Sequence, residues 1–320
     1  MKRMSNLYPN ICNMNNIIKT FNEVCRNTKN KQKVARVKEY QCMFISDIHK
    51  ILTSKTYTPG PTNVFIIKDP KTRRIVSQNM QDKVVNHLVS RYILYPAILP
   101  CLLDVNVASR TGLGTSAGVS LALEYHRKCK INFGKYYILK CDISKFFYSI
   151  DHEILKKKIR RRIKDPDALN IIDLIIDSEP NGLGIGSMSN QVFAIFFLND
   201  LDHYIKEDLK IKYLVRYQDD FLLFHESKEY LKECLEKITI FLKKEKLSLN
   251  AKTRIYSSSD NFLFLGRNPS GRYCRYRNIK RKIKKRYHQY TTGDVNLNSL
   301  ISSVSCYRNL CKRDIKFFKR

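Results

Sequence analysis

Apolar residues in the first part of the chain recur three or four positions apart. This spacing over residues 11–21 and 34–51 predicts amphipathic, basic helices within residues 1 to about 58. The Pro- and Gly-containing run at residues 57–61 is a typical breaker and ends the helical pattern.

The pattern then changes to short apolar runs. Residues 63–68 and 73–76 read as two strands joined by a tight turn, so the sequence predicts a hairpin with Lys68, Arg73 and Arg74 near its tip. A basic tip is either a solvated turn or a surface that grips phosphates, because Lys and Arg donate hydrogen bonds to phosphate oxygens.

An amphipathic helix and a small-residue segment follow. Residues 81–103 carry one apolar stripe, which Pro96 and Pro100 close, and this predicts a helix. Residues 109–118 are rich in Gly, Ser and Thr and lead into a helix through about Arg127. Their spacing matches neither a P-loop nor a dinucleotide fingerprint, so alone they are a weak signal.

The middle of the chain combines a buried strand with acidic residues. Residues 136–139 are apolar, Asp142 stands at the end of this predicted strand, and Asp151 caps the helix predicted over residues 154–177. The remaining predicted elements are a small-residue loop at 181–191, an apolar helix from 192 to about 209, a charged helix at 228–247, strands at 249–256 and 261–266, and basic helices from 267 onward.

Two adjacent aspartates, Asp219 and Asp220, lie between apolar strands and predict the tip of a hairpin. Asp is ordinary at a turn, because its side chain bonds nearby backbone groups. Two neighbouring carboxylates repel each other, however, and a cation relieves that repulsion. The pair therefore indicates a metal site, with Asp142 as the third acid, although Asp142 has a purely structural interpretation as a residue that ends a strand.

Charge indicates the class of partner. Lys and Arg number 59 against 29 Asp and Glu, giving a formal net charge of +30 over 320 residues. Such an excess favours a polyanion, above all nucleic acid. An AT-rich coding composition explains part of the lysine, but not a dense basic run such as residues 280–286.

The cysteines and apolar stretches indicate a cytoplasmic protein that does not enter a membrane. Ten cysteines occur without a Cys-x-x-Cys pair or a His/Cys cluster at zinc spacing, which is typical of free thiols in a reducing compartment. The N-terminus leads into no long apolar run, and other apolar stretches are broken by charges before membrane-spanning length.

The order of these elements over about residues 60 to 270 resembles the reverse transcriptase family. The resemblance rests on the YxDD box Tyr217-Gln218-Asp219-Asp220, on the acidic motif around Asp142, on the loop before the hairpin and on Phe264-Leu265-Gly266 at the primer grip. It implies an α+β right-hand polymerase fold with fingers, a palm with an antiparallel sheet and a small helical thumb. The implied domains are residues 1–135 for the N-terminal helices and fingers, 136–268 for the palm, with part of the fingers inserted at about 152–180, and 269–320 for the basic thumb.

The resemblance also implies a chemistry of RNA-templated DNA synthesis with dNTPs on a DNA or RNA primer. Two Mg²⁺ ions, or Mn²⁺ in their place, would bind Asp142 and Asp219 as bridging ligands, with Asp220 beside them. Phe147 falls at the steric gate against a ribose 2′-hydroxyl. The residues implied to contact the nucleotide, the templating pair or the duplex are Lys68, Arg73, Arg74 (favoured for the triphosphate), Ile185, Gly186, Gln191, Tyr217, Lys252, Phe264, Leu265, Gly266, Lys280, Arg281 and Lys284.

The loop at residues 185–191 indicates a branch of the family. Most members read Q-G-x-x-x-S-P there, whereas this chain has an I-G-x-x-x-N-Q pattern in which Ile185 replaces Gln and Gln191 replaces Pro. This resembles the diversity-generating retroelement enzymes, which copy RNA with errors at adenines. Asn190 in place of Ser and Gly184 in place of Pro depart from that branch.

Other functions stay open at this point. The alternatives are a group II-like, retron or phage-defence reverse transcriptase, and a non-catalytic RNA-binding protein on a polymerase scaffold. In the diversity-generating branch a small basic accessory protein helps to bind the RNA, which makes such a protein a candidate partner.

Overall fold

The first helices of the chain form where the apolar stripe predicts them. The computed structural model describes residues 3–28, 30–67, 72–268 and 276–305, without the side chains of residues 276–280 and 302–305. The first helices are α1 (Pro9–Cys12), α2 (Met14–Asn27), α3 (Lys31–Glu39) and α4 (Gln41–Thr53). Helix α2 begins at Asn13, whose side-chain oxygen accepts a hydrogen bond from the amide of Asn16 at 3.2 Å. Its apolar face is buried.

The predicted hairpin follows and is confirmed. Strands β1 (Asn63–Ile67) and β2 (Arg73–Ser77) pair antiparallel, with Asn63 opposite Ser77. Lys68 and the rest of the tip, residues 68–71, lie outside the described residues.

The helix predicted over residues 81–103 is divided into four pieces. They are α5 (Met80–Val89), a π-helical turn (Ser90–Leu94), α6 (Tyr95–Ile98) and a 3₁₀ turn (Leu99–Cys101). The amide of Tyr95 donates to the carbonyl of Ser90, five residues back, which defines the π turn. Pro96 follows in the first turn of α6, where its missing N–H costs nothing.

A four-stranded antiparallel sheet positions the acidic residues. Its strands lie in the order β4 (Tyr213–Tyr217), β5 (Asp220–His225), β3 (Tyr137–Asp142) and β6 (Arg254–Ser257). Helices α9 (His152–Arg160) and α10 (Pro166–Asp177) replace the single helix predicted over residues 154–177, which breaks because Asp165 caps a new helix that starts at Pro166. The elements of this region are α7 (Thr115–Phe133), β3 (Tyr137–Asp142), α8 (Phe146–Ser149), α9 (His152–Arg160), α10 (Pro166–Asp177), α11 (Met188–Phe197), α12 (Asn199–His203), a π-helical turn (Tyr204–Asp208), β4 (Tyr213–Tyr217), β5 (Asp220–His225), α13 (Lys228–Lys244) and β6 (Arg254–Ser257).

The contacts within the chain divide it into two compact units, Met1–Ser258 and Ser259–Arg320. The described part of the second unit contains α14 (Tyr276–Thr291) and α15 (Leu297–Ser305). The strand predicted over residues 261–266 is wrong: Phe264 only bridges to Arg267, because Leu265 and Gly266 take left-handed backbone angles, φ +50° and +78°, and form a tight turn.

The sequence also led to expectations about thiols and membranes. The cysteines that the structure describes are all free. No helix within the described ranges has the length and apolar character needed to span a membrane. The division into fingers, palm and thumb stays a prediction.

Candidate active site

The acidic hairpin forms as predicted, with a turn of two residues. Tyr217 pairs with Asp220 across the strands, so that Gln218 and Asp219 alone make the turn. Gln218 takes a left-handed backbone angle, φ +56°, which is uncommon for a residue other than glycine. The turn thus carries one acid at its tip and one at the start of β5.

Sheet register brings the third aspartate to the same place. Asp142, the last residue of β3, lies directly opposite Asp220, the first residue of β5. The amide of Ile143 donates to the carbonyl of Asp219 at 3.2 Å, which ties the end of β3 to the turn. Strand ends therefore gather Asp142, Asp219 and Asp220 at one edge of the sheet.

Asp220 is incompletely paired. The Nζ atom of Lys140 lies 3.2 Å from its Oδ2, whereas its Oδ1 is buried and has no hydrogen-bond partner in the described structure. Burial above all, together with the charges of Asp142 and Asp219, raises the pKa of Asp220 to about 6, although Lys140 opposes the shift. The site holds unfavourable negative charge that a cation would relieve.

The donor set fits a hard divalent cation. Mg²⁺ binds through one or two carboxylates and completes its shell with water and substrate phosphates. Asp142 and Asp220 stand opposite each other, and Oδ1 of Asp220 has no hydrogen-bond partner among the described residues, so these two carboxylates could supply such oxygens. Within the described part of the chain, no group of three or more His, Cys, Asp or Glu side chains is arranged to hold a metal ion. The register thus brings the three aspartates to one place without forming a complete metal site.

A buried arginine, which the sequence analysis missed, supports the hairpin from β4. Arg216 has no exposed surface and forms two hydrogen bonds with Asp202, from Nε to Oδ1 at 2.7 Å and from a terminal nitrogen to Oδ2 at 2.5 Å. The other terminal nitrogen donates to the carbonyl of Gln218 at 3.1 Å. A charged residue between apolar strand residues was the signal that could have identified it.

A further segment pairs with the free edge of β4. The amide of Arg216 donates to the carbonyl of Val105 at 2.8 Å, and the amide of Val107 donates to the carbonyl of Arg216 at 3.1 Å. This brings Ser109 to the turn, where its hydroxyl accepts a hydrogen bond from Nε2 of Gln218 at 2.9 Å. The Gly/Ser/Thr segment at residues 109–118 therefore begins beside the candidate site.

The loop at residues 181–191 packs against strand β2 of the first hairpin. Ile185 forms a bridge to Ile75 of β2, and its carbonyl accepts a hydrogen bond from the amide of Val76 at 2.9 Å. At Gly186, φ is +138° and a Cβ atom would stand 2.5 Å from the carbonyl oxygen of Val76, so only glycine fits.

Asn190 has a visible structural role in this loop. Its Nδ2 donates to the carbonyl of Gly184 at 2.9 Å, which closes the loop on itself. Ser187 and Ser189 lie beneath and both donate to Oδ1 of Asn86 on α5. Gly184 and Asn190, the two residues that depart from the diversity-generating pattern, are thus hydrogen-bonded to each other.

The residue favoured for the triphosphate, Arg74, is held by an acid that the sequence did not indicate. Its guanidinium lies 3.1 Å from Oε2 of Glu179, whose side chain is only 10% exposed, whereas the Arg74 side chain is 47% exposed. Its backbone carbonyl accepts from the hydroxyl of Tyr148 at 3.2 Å. Phe147, beside Tyr148, receives a hydrogen bond at its carbonyl from the amide of Leu183 at 2.7 Å. Strand β2, helix α8 and the loop therefore meet around these residues.

The other predicted residues are more scattered. Arg73 and Lys252 are exposed, and Gln191 is exposed in the first turn of α11. Phe264, Leu265 and Gly266 belong to the second unit, as do Arg281 and Lys284, which are exposed on α14. The side chain of Lys280 lies outside the described residues.

Comparisons with known proteins give a family match for most of this region. The family model described as "Reverse transcriptase (RNA-dependent DNA polymerase)" matches residues 66–268. No curated protein matches the sequence. Among solved structures, apo telomerase from Candida tropicalis, truncated from its C-terminal domain, shares 15% identity with a TM-score of 0.48 over 68% of this chain and 56% of that one. Telomerase from Candida albicans in complex with a TWJ fragment of telomeric RNA shares 12% identity with a TM-score of 0.49 over 75% of this chain and 54% of that one. The chain thus spans little more than half the length of these structures.

Proposed function

Since the chain belongs to the reverse transcriptase family, we propose that it is an RNA-templated DNA polymerase that extends a DNA or RNA primer with dNTPs. Its fold is that of the right-hand polymerases, as the sequence predicted. The observation that carries the proposal is the register that sets Asp142 opposite Asp220, with Oδ1 of Asp220 buried and unpartnered among the described residues.

Asp142, Asp219 and Asp220 would hold the divalent cations, Mg²⁺ or Mn²⁺. Such ions lower the pKa of an attacking hydroxyl and neutralise charge on the triphosphate when they are bound. The protein holds one oxygen of Asp220 through Lys140, and the other oxygen has no hydrogen-bond partner in the described ranges. A non-catalytic RNA-binding scaffold has no need of this unfavourable charge, which disfavours that alternative.

Arg74 is the candidate contact for the nucleotide triphosphate. Glu179 occupies one terminal nitrogen of its guanidinium, and the other donors stay available to phosphate oxygens. Because Glu179 is nearly buried, separating the pair would leave an uncompensated charge, so the pair stays intact when substrate binds. Phe147 serves as the steric gate and Lys252 approaches the pyrophosphate in this proposal.

The nucleic acid partner is a primed RNA template. Basic residues on α9 pair with acids, for example Lys156 with Asp177 at 2.8 Å and Lys158 with Asp200 at 2.9 Å. Arg281 and Lys284 on α14 instead are exposed and form no ion pair within the part of the chain that the structure describes. They are therefore the better candidates for contacts with the duplex backbone, which weaken with salt.

Copying by this enzyme is error-prone in our proposal, as in diversity-generating retroelements. Ile185 is half-buried and bonds to β2 only through its backbone, so its side chain offers no hydrogen bond to a nearby base pair. A glutamine there could make one. A small basic accessory protein that helps to bind the RNA is part of the same proposal.

Synthesis on a primed RNA tests the activity. Purified protein with Mg²⁺, primer, RNA and dNTPs is expected to make cDNA, and Asp219→Ala is expected to make none. Omission of the RNA separates templated synthesis from template-free addition. Equal, background-level product from both proteins in Mg²⁺ and in Mn²⁺ would contradict the proposal.

Sequencing of the cDNA tests the branch. Ile185→Gln is expected to lower the misincorporation frequency opposite template adenines, whereas the matched variant Ile185→Leu, which keeps an apolar side chain, leaves it unchanged. Equal error frequencies at adenines and at the other bases in the wild-type product would exclude the diversity-generating branch.

A further inference from the structure

Ser109 stands between the candidate catalytic turn and the loop that precedes the hairpin. Its hydroxyl accepts a hydrogen bond from Nε2 of Gln218 at 2.9 Å and faces Oε1 of Gln191 at 3.5 Å. A serine hydroxyl has one donor and two acceptor sites, so it accepts from the first amide and donates to the second. One hydroxyl thus connects two glutamines that are 27 residues apart in the chain.

The backbone fixes this placement. Residues 105–107 run parallel to β4, with Asn106 bridged to Arg216. The amide of Val107 donates the last of these backbone hydrogen bonds, to the carbonyl of Arg216. Ser109 lies two residues beyond Val107 and Gln218 lies two residues beyond Arg216, so their side chains meet just past this bond. Ser109 and Gln218 both have left-handed backbone angles, φ +51° and +56°, a conformation that costs free energy in a residue other than glycine.

Gln218 depends on this contact. Its Oε1 atom is buried without a hydrogen-bond partner among the described residues, so the bond from Nε2 to Ser109 is the one anchor that the structure gives to the amide. Asp219 follows immediately in the chain. If the Gln218 side chain moves, the turn that carries Asp219 is therefore expected to move with it.

We propose that Ser109 is a positioning residue that couples the Asp219 turn to Gln191 through its hydroxyl, so that nucleotide incorporation responds to both sites together. This inference rests on the proposed polymerase function. It adds Ser109, a residue outside the acidic motifs, to the residues on which nucleotide incorporation depends. It also predicts that the effects of substitutions at Gln191 and Gln218 are coupled only while the Ser109 hydroxyl is present.

Two substitutions distinguish the effect of losing the Ser109 hydroxyl from the effect of its left-handed backbone angle. Ser109→Ala and Ser109→Gly both remove the hydroxyl, but only glycine relieves the left-handed angle. Each is expected to lower kcat/KM for correct dNTP incorporation by about two- to tenfold, the effect of one hydrogen bond. The melting temperature of Ser109→Gly should equal or exceed that of Ser109→Ala. Activity lost in only one of the two variants, or in neither, overturns the proposal.

A double-mutant cycle gives a readout that a merely structural role would not move. Gln191→Met and Gln218→Met are expected to be non-additive in kcat/KM in the wild-type background and additive in the Ser109→Ala background. Additivity in both backgrounds, or the same coupling in both, overturns the inference while the polymerase function stands. A wild-type protein that makes no cDNA on primed RNA refutes the polymerase function instead.

Discussion

Two acids beside the same pair of strands, Asp202 fully buried and Asp220 half-buried, are treated in opposite ways by this protein. Asp202 is paired through both oxygens with Arg216 of β4, at 2.7 and 2.5 Å. Asp220 of β5 has a single cation, Lys140, 3.2 Å from one oxygen, and its other oxygen is unpartnered among the described residues. Arg216 lies opposite Phe221, so the two arrangements are direct neighbours in the sheet.

The difference distinguishes an acid that stabilises the fold from an acid that is a candidate for catalysis. A buried carboxylate with all its hydrogen bonds made is a structural element, and to break it leaves an uncompensated charge. Burial raises the pKa of both carboxyls, so this shift does not distinguish the two acids. The feature that marks Asp220 as a candidate functional group is its buried Oδ1, which has no hydrogen-bond partner among the described residues. Asp202 and Arg216 hold the hairpin, partly through the carbonyl of Gln218, so that Asp220 can remain incompletely paired.

Removal of the charge at position 220 should give the largest effect, and this effect is on activity. Asp220→Asn is expected to lower the rate of cDNA synthesis by about 10²–10⁴-fold, because the contribution of a metal-held carboxylate is several kcal/mol. The circular dichroism spectrum should be unchanged. Activity within tenfold of wild type would show that Asp220 is a structural acid like Asp202.

The same substitution at position 202 should affect stability instead. Asp202→Asn is expected to lower the free energy of unfolding by about 3–5 kcal/mol, because it leaves Arg216 buried without its countercharge. Urea unfolding measures this, and Asp220→Asn, unfolded in parallel at pH 7 in EDTA, should be at least as stable as wild type. Apolar replacement of both partners, Asp202→Leu with Arg216→Met, should recover most of the loss. Equal destabilisation by the two Asn variants would remove the distinction.

The sequence predicted one of these two acids and not the other, for a physical reason. Asp220 and Asp142 stand at the ends of apolar runs, and strand register then sets them face to face. The partners of Arg216, Ser109 and Arg74 come from elements 14 to 109 residues away, and hydrophobic periodicity indicates which face is buried but not which side chain will lie there. The helix boundaries at the π turn and at Asp165 were missed because local capping and proline effects override the apolar stripe.

Stability as a function of pH should differ between the metal-free wild type and Asp220→Asn. The folded-state pKa of Asp220 is raised from its ordinary value of 3.8 to about 6, so the folded protein binds this proton more tightly than the unfolded chain does. The resulting stabilisation is present below pH 4 and is lost as pH rises through about 6. In EDTA, the free energy of unfolding of wild type relative to Asp220→Asn should fall by about 2–3 kcal/mol between pH 4 and pH 7. Parallel pH profiles for the two proteins would contradict the raised pKa.

Loss of the Lys140 charge beside Asp220 should shift that profile by a smaller amount. Lys140 opposes the effect of burial on the Asp220 carboxyl, so Lys140→Met should raise the pKa of Asp220 further and move the midpoint of the wild-type pH profile upward by about one unit. Lys232→Met, which removes an exposed charge on α13, is the matched control and should leave the midpoint in place. A midpoint that stays unchanged in Lys140→Met would mean that Lys140 does not balance the carboxyl in solution. Asp220 would then depend on a bound cation alone, and its difference from Asp202 would be larger than the structure indicates.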